Sequence, residues 1–174
     1  MPVGAHTSSS SQSEADNLAI ADVTVEMDKN ILPEPVSSND VKNISDFDQH
    51  IFGVNRSSLI KYLLSEYPQK AWMFKRNNLI TGIALGRTGN KYHHIGPVFA
   101  ANIDDAKKLI ASAVNELKHQ PIVVDVMFDK KDLISWLHEN GFTIQRKFVR
   151  MYKGKNLFPG DIGNQYLICG PEFG

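Results

Sequence analysis

Asp125 is the residue with the clearest chemical potential, because it places a carboxylate inside the apolar run 122–128. Burying a carboxylate is costly unless it has a partner or a purpose, so this position predicts an ion pair or a functional site. The partner could be Arg146 or Arg150, which lie in a later strand. As a site residue, Asp125 would be a candidate general base, since a positioned carboxylate can remove a proton.

His93 and His94 are the second candidates, and they precede the dipeptide Gly96-Pro97. A histidine in a strand is usually held only by hydrogen bonds, but one of these two could act as a base or contact a substrate. Gly96 and Pro97 predict an irregular strand, because proline removes one donor from the hydrogen-bond ladder.

Cys169 is the only cysteine, so no disulfide can form within the chain. Nothing near it in the sequence would activate the thiol, and we expect a small apolar filler. The six histidines lack the spacing of zinc ligands. No metal site is predicted.

The elements around Asp125 are well marked in the sequence. The apolar strand leads through a polar turn into an amphipathic helix, with Asp129 as its expected cap. Gly141 suits the left-handed closing residue, and Phe142 is expected to fold back on the last turn. Ligands of open α/β sheets bind where strands lead into helices, so we expect a site around Asp125.

Composition indicates an ordinary globular protein of one domain, since 174 residues can bury one substantial core. The 19 basic and 19 acidic side chains balance, which leaves no overall field to hold nucleic acid or an anionic membrane. No apolar run is long enough to span a bilayer, and the amino terminus lacks the apolar region of a secretory signal. A cytoplasmic protein is expected.

The first part of the chain predicts little regular structure. Residues 1–17 are rich in serine and small polar side chains and predict a disordered tail. Residues 18–27 alternate well enough for one strand, which could add to a sheet edge, and two prolines interrupt the segment after it. We interpret 18–40 as a lead strand and linker, and 41–174 as the main domain.

The main domain predicts alternating helices and strands. Helices are expected at 38–52, capped by Ser38 or Asn39, and at 57–67. Paired asparagines at 77–78 predict the turn of a β-hairpin, because asparagine tolerates positive φ angles. After it come a strand at 91–100, a helix capped by Asn102, the strand and helix around Asp125, and two last strands. This order predicts an α/β fold, a mixed sheet of about six to seven strands flanked by about four helices.

This order and several motifs together resemble the GNAT superfamily of acyl-coenzyme A dependent N-acetyltransferases. The matching segments include DFDQHIFGVNRSSLIKYLL, ALGRTGNKYHHIGPVFAANIDDAKKLI, VVDV, ENGF, RMYKG and the terminal CGPEFG. Within the superfamily, the chain looks like the carboxyl-terminal domain of tandem proteins of the YitH type, over roughly residues 45 to 174.

The resemblance implies acetyl-coenzyme A as a co-substrate, with its pantetheine arm between two strands that splay apart, here 94–100 and 122–128. It implies that the pyrophosphate rests on the start of the next helix, where backbone N–H groups attract anions. The residues implied in cofactor binding are Val98, Phe99, Ala100, Asn102, Ile103 and Lys107.

The catalytic residues that we infer under this resemblance are Asp125 as the base, His94 as a base or substrate contact, and Tyr152 as a proton donor to the departing thiolate. The tyrosine that many members carry on the helix after the fifth strand is replaced by Leu137. Tyr152 or Tyr166 from the last strands could substitute for it.

A second departure from the family pattern concerns the phosphate site. The usual glycine-rich signature is replaced by AANIDDAKK after Phe99. Asp104 and Asp105 would stand in the first turn of the helix, where carboxylates repel an incoming anion. Lys107 and Lys108 could compensate only if they reach back.

Two functions are possible as hypotheses. The first is an enzyme that transfers an acetyl group from acetyl-coenzyme A to a primary amine of a small molecule or a protein, by direct attack in a ternary complex. The second is a catalytically weak GNAT-like module that binds a ligand or a partner chain through its last strands. A homodimer would be twofold and could use those strands as its seam.

Overall fold

The computed structural model describes residues 13–20, 24–25, 32–150 and 155–173. Within these ranges one sheet of eight strands is flanked by four α-helices. The predicted α/β class and the order of elements are confirmed, and the strand count is slightly higher than expected. The strands are β1 (Ser13–Ile20), β2 (Glu34–Pro35), β3 (Ala71–Arg76), β4 (Leu79–Thr88), β5 (His93–Ala100), β6 (Ile122–Met127), β7 (Thr143–Arg150) and β8 (Gln165–Leu167), and the helices are α1 (Val41–Phe52), α2 (Ser57–Glu66), α3 (Ile103–Glu116) and α4 (Lys131–Glu139).

The strands lie in the order β2-β3-β4-β5-β8-β6-β1-β7, and β5 also pairs directly with β6. This parallel pairing is short, because it joins only His93, His94 and Ile95 to the first residues of β6. Farther along, β8 lies between the two strands and runs antiparallel to both. The centre of the sheet therefore opens as a wedge, and the last strand of the chain occupies it.

β1 differs from the expectation in both its extent and its place. It begins at Ser13, so residues 13–17 of the predicted tail belong to a strand, while residues 1–12 lie outside the described part of the chain. It pairs with β6 on one side and β7 on the other, so it is an interior strand and not an edge strand. The polar side chain of Asn17 is tolerated there because it meets Asp125 across the pair with β6.

Two apolar clusters hold the helices against the sheet. Side chains of a strand alternate between the faces, and β3 shows this directly. Trp72 and Phe74 join the cluster of α3 and α4, whereas Ala71 and Met73 join the cluster of α1 and α2. The aromatic residues expected in the core are buried or packed against it: Phe47, Phe52, Trp72, Phe74 and Trp136.

The turn and cap predictions have mixed outcomes. The hairpin turn is confirmed, with φ of 51° at Asn77 and 62° at Asn78. Asn102 caps α3 as predicted, since its side-chain oxygen accepts the Asp105 N–H at 2.9 Å. Gly141 closes α4 at φ 85°, and the Phe142 N–H returns to the Leu137 carbonyl at 3.0 Å.

Two cap predictions are wrong. A 3-10 turn at Ser38–Asp40 precedes α1, and Ser37 is the N-cap position of this turn. The Asp40 carboxylate accepts hydrogen bonds from the Ser37 N–H at 3.0 Å and from the Ser37 hydroxyl at 2.6 Å. Asp129 does not cap α4, which begins at Lys131 after Lys130. The Lys130 N–H bonds the Met127 carbonyl at 3.0 Å, so Asp129 stands inside a tight turn instead of at the helix start.

Candidate functional site

The wedge begins at Gly96 in β5, just beyond the pairing of β5 with β6. A Cβ atom added at Gly96 would stand 2.0 Å from the Ile168 carbonyl oxygen, so only glycine lets the C-terminal segment lie this close. The Gly96-Pro97 peptide is cis, and the register between β4 and β5 shifts nearby, which confirms an irregular strand.

A buried chain of three polar side chains crosses the sheet beside this wedge. His94 Nε2 lies 2.8 Å from one carboxylate oxygen of Asp125, and Asn17 Nδ2 donates to the other oxygen at 2.5 Å. Asp125 is 1 % exposed. Of the two arginines considered as partners of Asp125, Arg146 is exposed and does not pair with it, and the Arg150 side chain lies outside the described part.

Among the ring and carboxylate atoms of these three side chains, His94 Nδ1 is the one without a hydrogen-bond partner in the described ranges. A carboxylate accepts a hydrogen bond, so Asp125 fixes the ring proton on Nε2 and leaves the lone pair on Nδ1. Nδ1 is buried and has no hydrogen-bond partner among the described residues. Both oxygens of Asp125 already have a hydrogen-bond partner, whereas His94 Nδ1 has none among the described residues.

His93 points away from this cluster, because neighbouring residues of a strand face opposite sides of the sheet. Its Nδ1 lies 2.6 Å from the Lys70 ammonium nitrogen. Burial, and then the charge of Lys70, lower the pKa of His93. The two histidines therefore have separate environments, and only His94 belongs to the site.

A cavity of about 300 Å³ lies between the starts of α3 and α4. Tyr166 of β8 is part of its wall, and burial, together with the charges of Asp105 and Asp104, raises the pKa of this tyrosine. The hydroxyl thus stays protonated at neutral pH. The lining residues are Ile103, Asp129, Lys130, Lys131, Asp132, Leu133 and Tyr166.

The residues expected to bind the cofactor are only partly brought together. Ile103 lines the cavity, but Lys107 does not; its ammonium lies 5.9 Å from the centroid of the Trp136 ring. Val98 and Phe99 are in register with Leu167 and Gln165 of β8. A pantetheine arm could reach the backbone of β5 at Val98 and Phe99 only if β8 withdrew; Ala100 is buried as well.

The repulsion expected from two carboxylates at the start of α3 is weaker than the sequence predicts. Arg76 donates to both oxygens of Asp105, at 2.7 and 2.9 Å, and so offsets its charge. Asp104 remains exposed. Sequence reasoning missed Arg76, which lies at the far end of β3 and has no local signal that connects it to α3.

The predicted proton donors have different outcomes. Tyr152 lies outside the described residues. Leu137, which occupies the position where the resemblance implies a tyrosine, is fully buried in the core. Of the residues named from the sequence, Tyr166 is the one whose ring borders the cavity.

Cys169 is fully buried, as expected of an apolar filler, and burial raises its pKa to about 11. Only the thiolate reacts, so alkylation of the native protein by iodoacetamide at mildly alkaline pH should be at least about 100-fold slower than that of a free thiol. Unfolding in guanidinium should restore the rate. Mass spectrometry measures both rates, and prompt labelling of the native protein would contradict the burial.

Within the described ranges, no group of three histidine, cysteine or acidic residues is placed to hold a metal ion. The helices of the same ranges are all too short or too polar to cross a bilayer.

The chain belongs to the family described as the acetyltransferase (GNAT) domain, whose model matches residues 44–167. The match spans most of the sheet, most of α1 and all of the other three helices, together with the histidine and carboxylate described above and the cavity. No curated protein matches the chain.

Solved structures share the fold. A putative acetyltransferase from Pyrococcus horikoshii superimposes with a TM-score of 0.69 at 16% identity, covering 93% of this chain and 52% of that one. A putative GNAT acetyltransferase from Novosphingobium aromaticivorans gives 0.62 at 13% identity, covering 84% and 66%. A GCN5-related N-acetyltransferase from Sphaerobacter thermophilus gives 0.62 at 14%, covering 83% and 54%. The chain thus spans between half and two thirds of these structures' length.

Proposed function

We propose that the protein transfers an acetyl group from acetyl-coenzyme A to a primary amine. The observation that carries this proposal is the buried chain Asn17–Asp125–His94 beside the divergence of β5 and β6, in which His94 Nδ1 has no hydrogen-bond partner within the described ranges. Family membership supports the class of reaction, and this geometry supports His94 as the base.

In the proposed reaction, His94 Nδ1 takes a proton from the amine as the amine nitrogen bonds to the thioester carbonyl carbon. The carbon–sulfur bond then breaks, and the departing sulfur takes a proton from Tyr166 or from water. Asp125 positions the imidazole and stabilises its charged form, as a carboxylate does behind a catalytic histidine. Close placement of the reactants supplies a large part of the rate.

The residues around the cavity fit the cofactor in part. The start of α3 offers backbone donors, and Lys131 stands in the first turn of α4 at the same cavity. Lys130 is committed, because its ammonium donates to the carbonyls of Ile162 and Gly163 at 3.0 and 2.8 Å. The acyl arm would have to pass beside Tyr166 or displace β8.

Calorimetry with acetyl-coenzyme A, paired with a screen of amines by free-thiol release, tests the proposal. Micromolar affinity and amine-dependent release are expected. Absence of heat at millimolar cofactor would overturn it. Thiol release without an amine would show hydrolysis instead of transfer.

Asp104→Asn should tighten the binding of acetyl-coenzyme A by about two- to five-fold at low salt, because it removes an exposed carboxylate from the first turn of α3. Glu116→Gln is the matched control, since it removes the same charge at the other end of this helix. Calorimetry measures both affinities. Equal affinities in the two variants would place the phosphates elsewhere.

A second candidate function is favoured by one observation, the occupation of the wedge by β8. If the C-terminal strand never leaves, the protein is a GNAT-like module that binds a ligand or a partner chain without catalysis. β7 lies at one end of the sheet and is the expected seam of a twofold dimer. A dimer in sedimentation, together with a lack of cofactor binding, would support this function over the enzyme.

A further inference from the structure

Arg87 of β4 is the cross-strand neighbour of His94. The two residues are direct partners in the antiparallel pair of β4 and β5. Residues opposite each other in such a pair point to the same face, with Cα atoms about 4.5 to 5.5 Å apart. A guanidinium thus lies next to the proposed base on the face of the sheet where the base is buried.

The end of the chain covers both side chains. A Cβ atom at Gly96 would stand 2.0 Å from the Ile168 carbonyl oxygen and 2.9 Å from His94 Cε1. Gly170 has φ of 116°, and a Cβ atom there would stand 2.9 Å from Arg87 Nη2. The segment 168–173 therefore lies over the base and over the guanidinium.

Glu172 of this segment places its carboxylate on Arg87, where it accepts a hydrogen bond from Nη2. The ring of Phe173 adds a second contact, with its centroid 5.4 Å from Arg87 Cζ. Glu172 is about half exposed, so the pair lies at the rim of the site and not in the core.

Glu172 engages only one of the two adjacent Arg87 nitrogens, Nε and Nη2, that can bind a carboxylate together. Its Nε is buried and has no hydrogen-bond partner in the described part of the chain. Arg56 shows the complete arrangement, since its Nε and Nη2 bind the two oxygens of Asp48 at 3.0 and 2.7 Å. Arg87 therefore binds Glu172 through Nη2 alone, and its Nε is left without a partner in the described ranges. Such a guanidinium is suited to a carboxylate whose two oxygens bind Nε and Nη2 together.

We propose that the acceptor is an amine that also carries a carboxylate, such as an α-amino acid. Its carboxylate replaces that of Glu172 and bridges Nε and Nη2 of Arg87, which brings its amino group to His94 Nδ1. The Glu172 carboxylate then occupies the place of the acceptor carboxylate until the acceptor binds. The segment 168–173 lifts when the acceptor replaces it. This proposal rests on the proposed acetyltransferase function.

The first experiment compares amino acids with the same amines lacking the carboxylate: leucine with 3-methylbutylamine, and phenylalanine with 2-phenylethylamine. Thiol release should give a kcat/KM at least about ten-fold higher for each amino acid, as expected of a hydrogen bond between charged groups. Arg87→Gln should bring this ratio close to one, while Arg146→Gln on exposed β7 should keep it. Equal rates within each pair would overturn the proposed recognition of the acceptor carboxylate, but they would not contradict the proposed acetyltransferase function.

The second experiment needs no turnover. Calorimetry of leucine against the protein alone should show binding that Glu172→Gln strengthens several-fold and Arg87→Gln abolishes. Leucine should also speed alkylation of Cys169, which is buried and belongs to the segment that lifts. If no amine is acetylated, the transferase proposal fails, but the leucine titration still tests whether Arg87 binds a carboxylate. Leucine binding that neither variant changes would overturn the carboxylate site at Arg87.

Discussion

His94→Gln lowers turnover by about 100-fold or more, because the variant keeps a polar side chain beside Asp125 but has no ring nitrogen that can take a proton. The measurement is the rate of thiol release with saturating acetyl-coenzyme A and the best amine of the screen. His93→Gln is the matched control, since His93 faces the other side of the sheet and contacts Lys70. Equal losses in the two variants would contradict the assignment of the base.

Asp125→Asn tests whether Asp125 positions His94 for catalysis or only supports the fold. The variant keeps the shape of the side chain but removes the negative charge behind His94. Turnover should fall while the KM for the amine stays close to that of the unmodified protein, because the imidazole loses the carboxylate that positions it. A variant that loses stability while its turnover stays unchanged would assign Asp125 a structural role alone.

Asp48→Ala is expected to reduce the free energy of unfolding by about 3 to 5 kcal/mol, because it leaves the buried guanidinium of Arg56 without its charge partner. The Asp48 side chain is fully buried, and Arg56 stacks on Phe52 with its Cζ 3.6 Å from the ring centroid. Urea denaturation measures the change, and Asp48→Asn, which preserves the shape, should lose less.

Asp46→Ala provides the matched control on the same helix. Asp46 pairs with Lys42 at 2.6 Å, but both side chains are mostly exposed. Such surface pairs contribute at most about 1 kcal/mol, so the free energy of unfolding should change by less than that amount. A loss at Asp46 as large as that at Asp48 would contradict the interpretation that burial sets the cost.

The amino-acid sequence by itself determined the local features of this protein. Helical spacing of apolar residues, the Asn77–Asn78 turn, the Asn102 cap and the Gly141 closure depend on neighbours within a few residues, and all of them appear in the structure. The order of helices and strands could be predicted from these signals. Together with the motifs, that order led to the acetyltransferase family that the comparisons show.

Only the tertiary structure decided what surrounds Asp125. Its partner Asn17 is 108 positions away, in a segment that the sequence assigned to a disordered tail. In the same way, Arg76 reaches Asp105, and β8 enters the wedge between β5 and β6. Local periodicity carries no information on such pairings, because the burial that makes them favourable exists only after distant strands have come together.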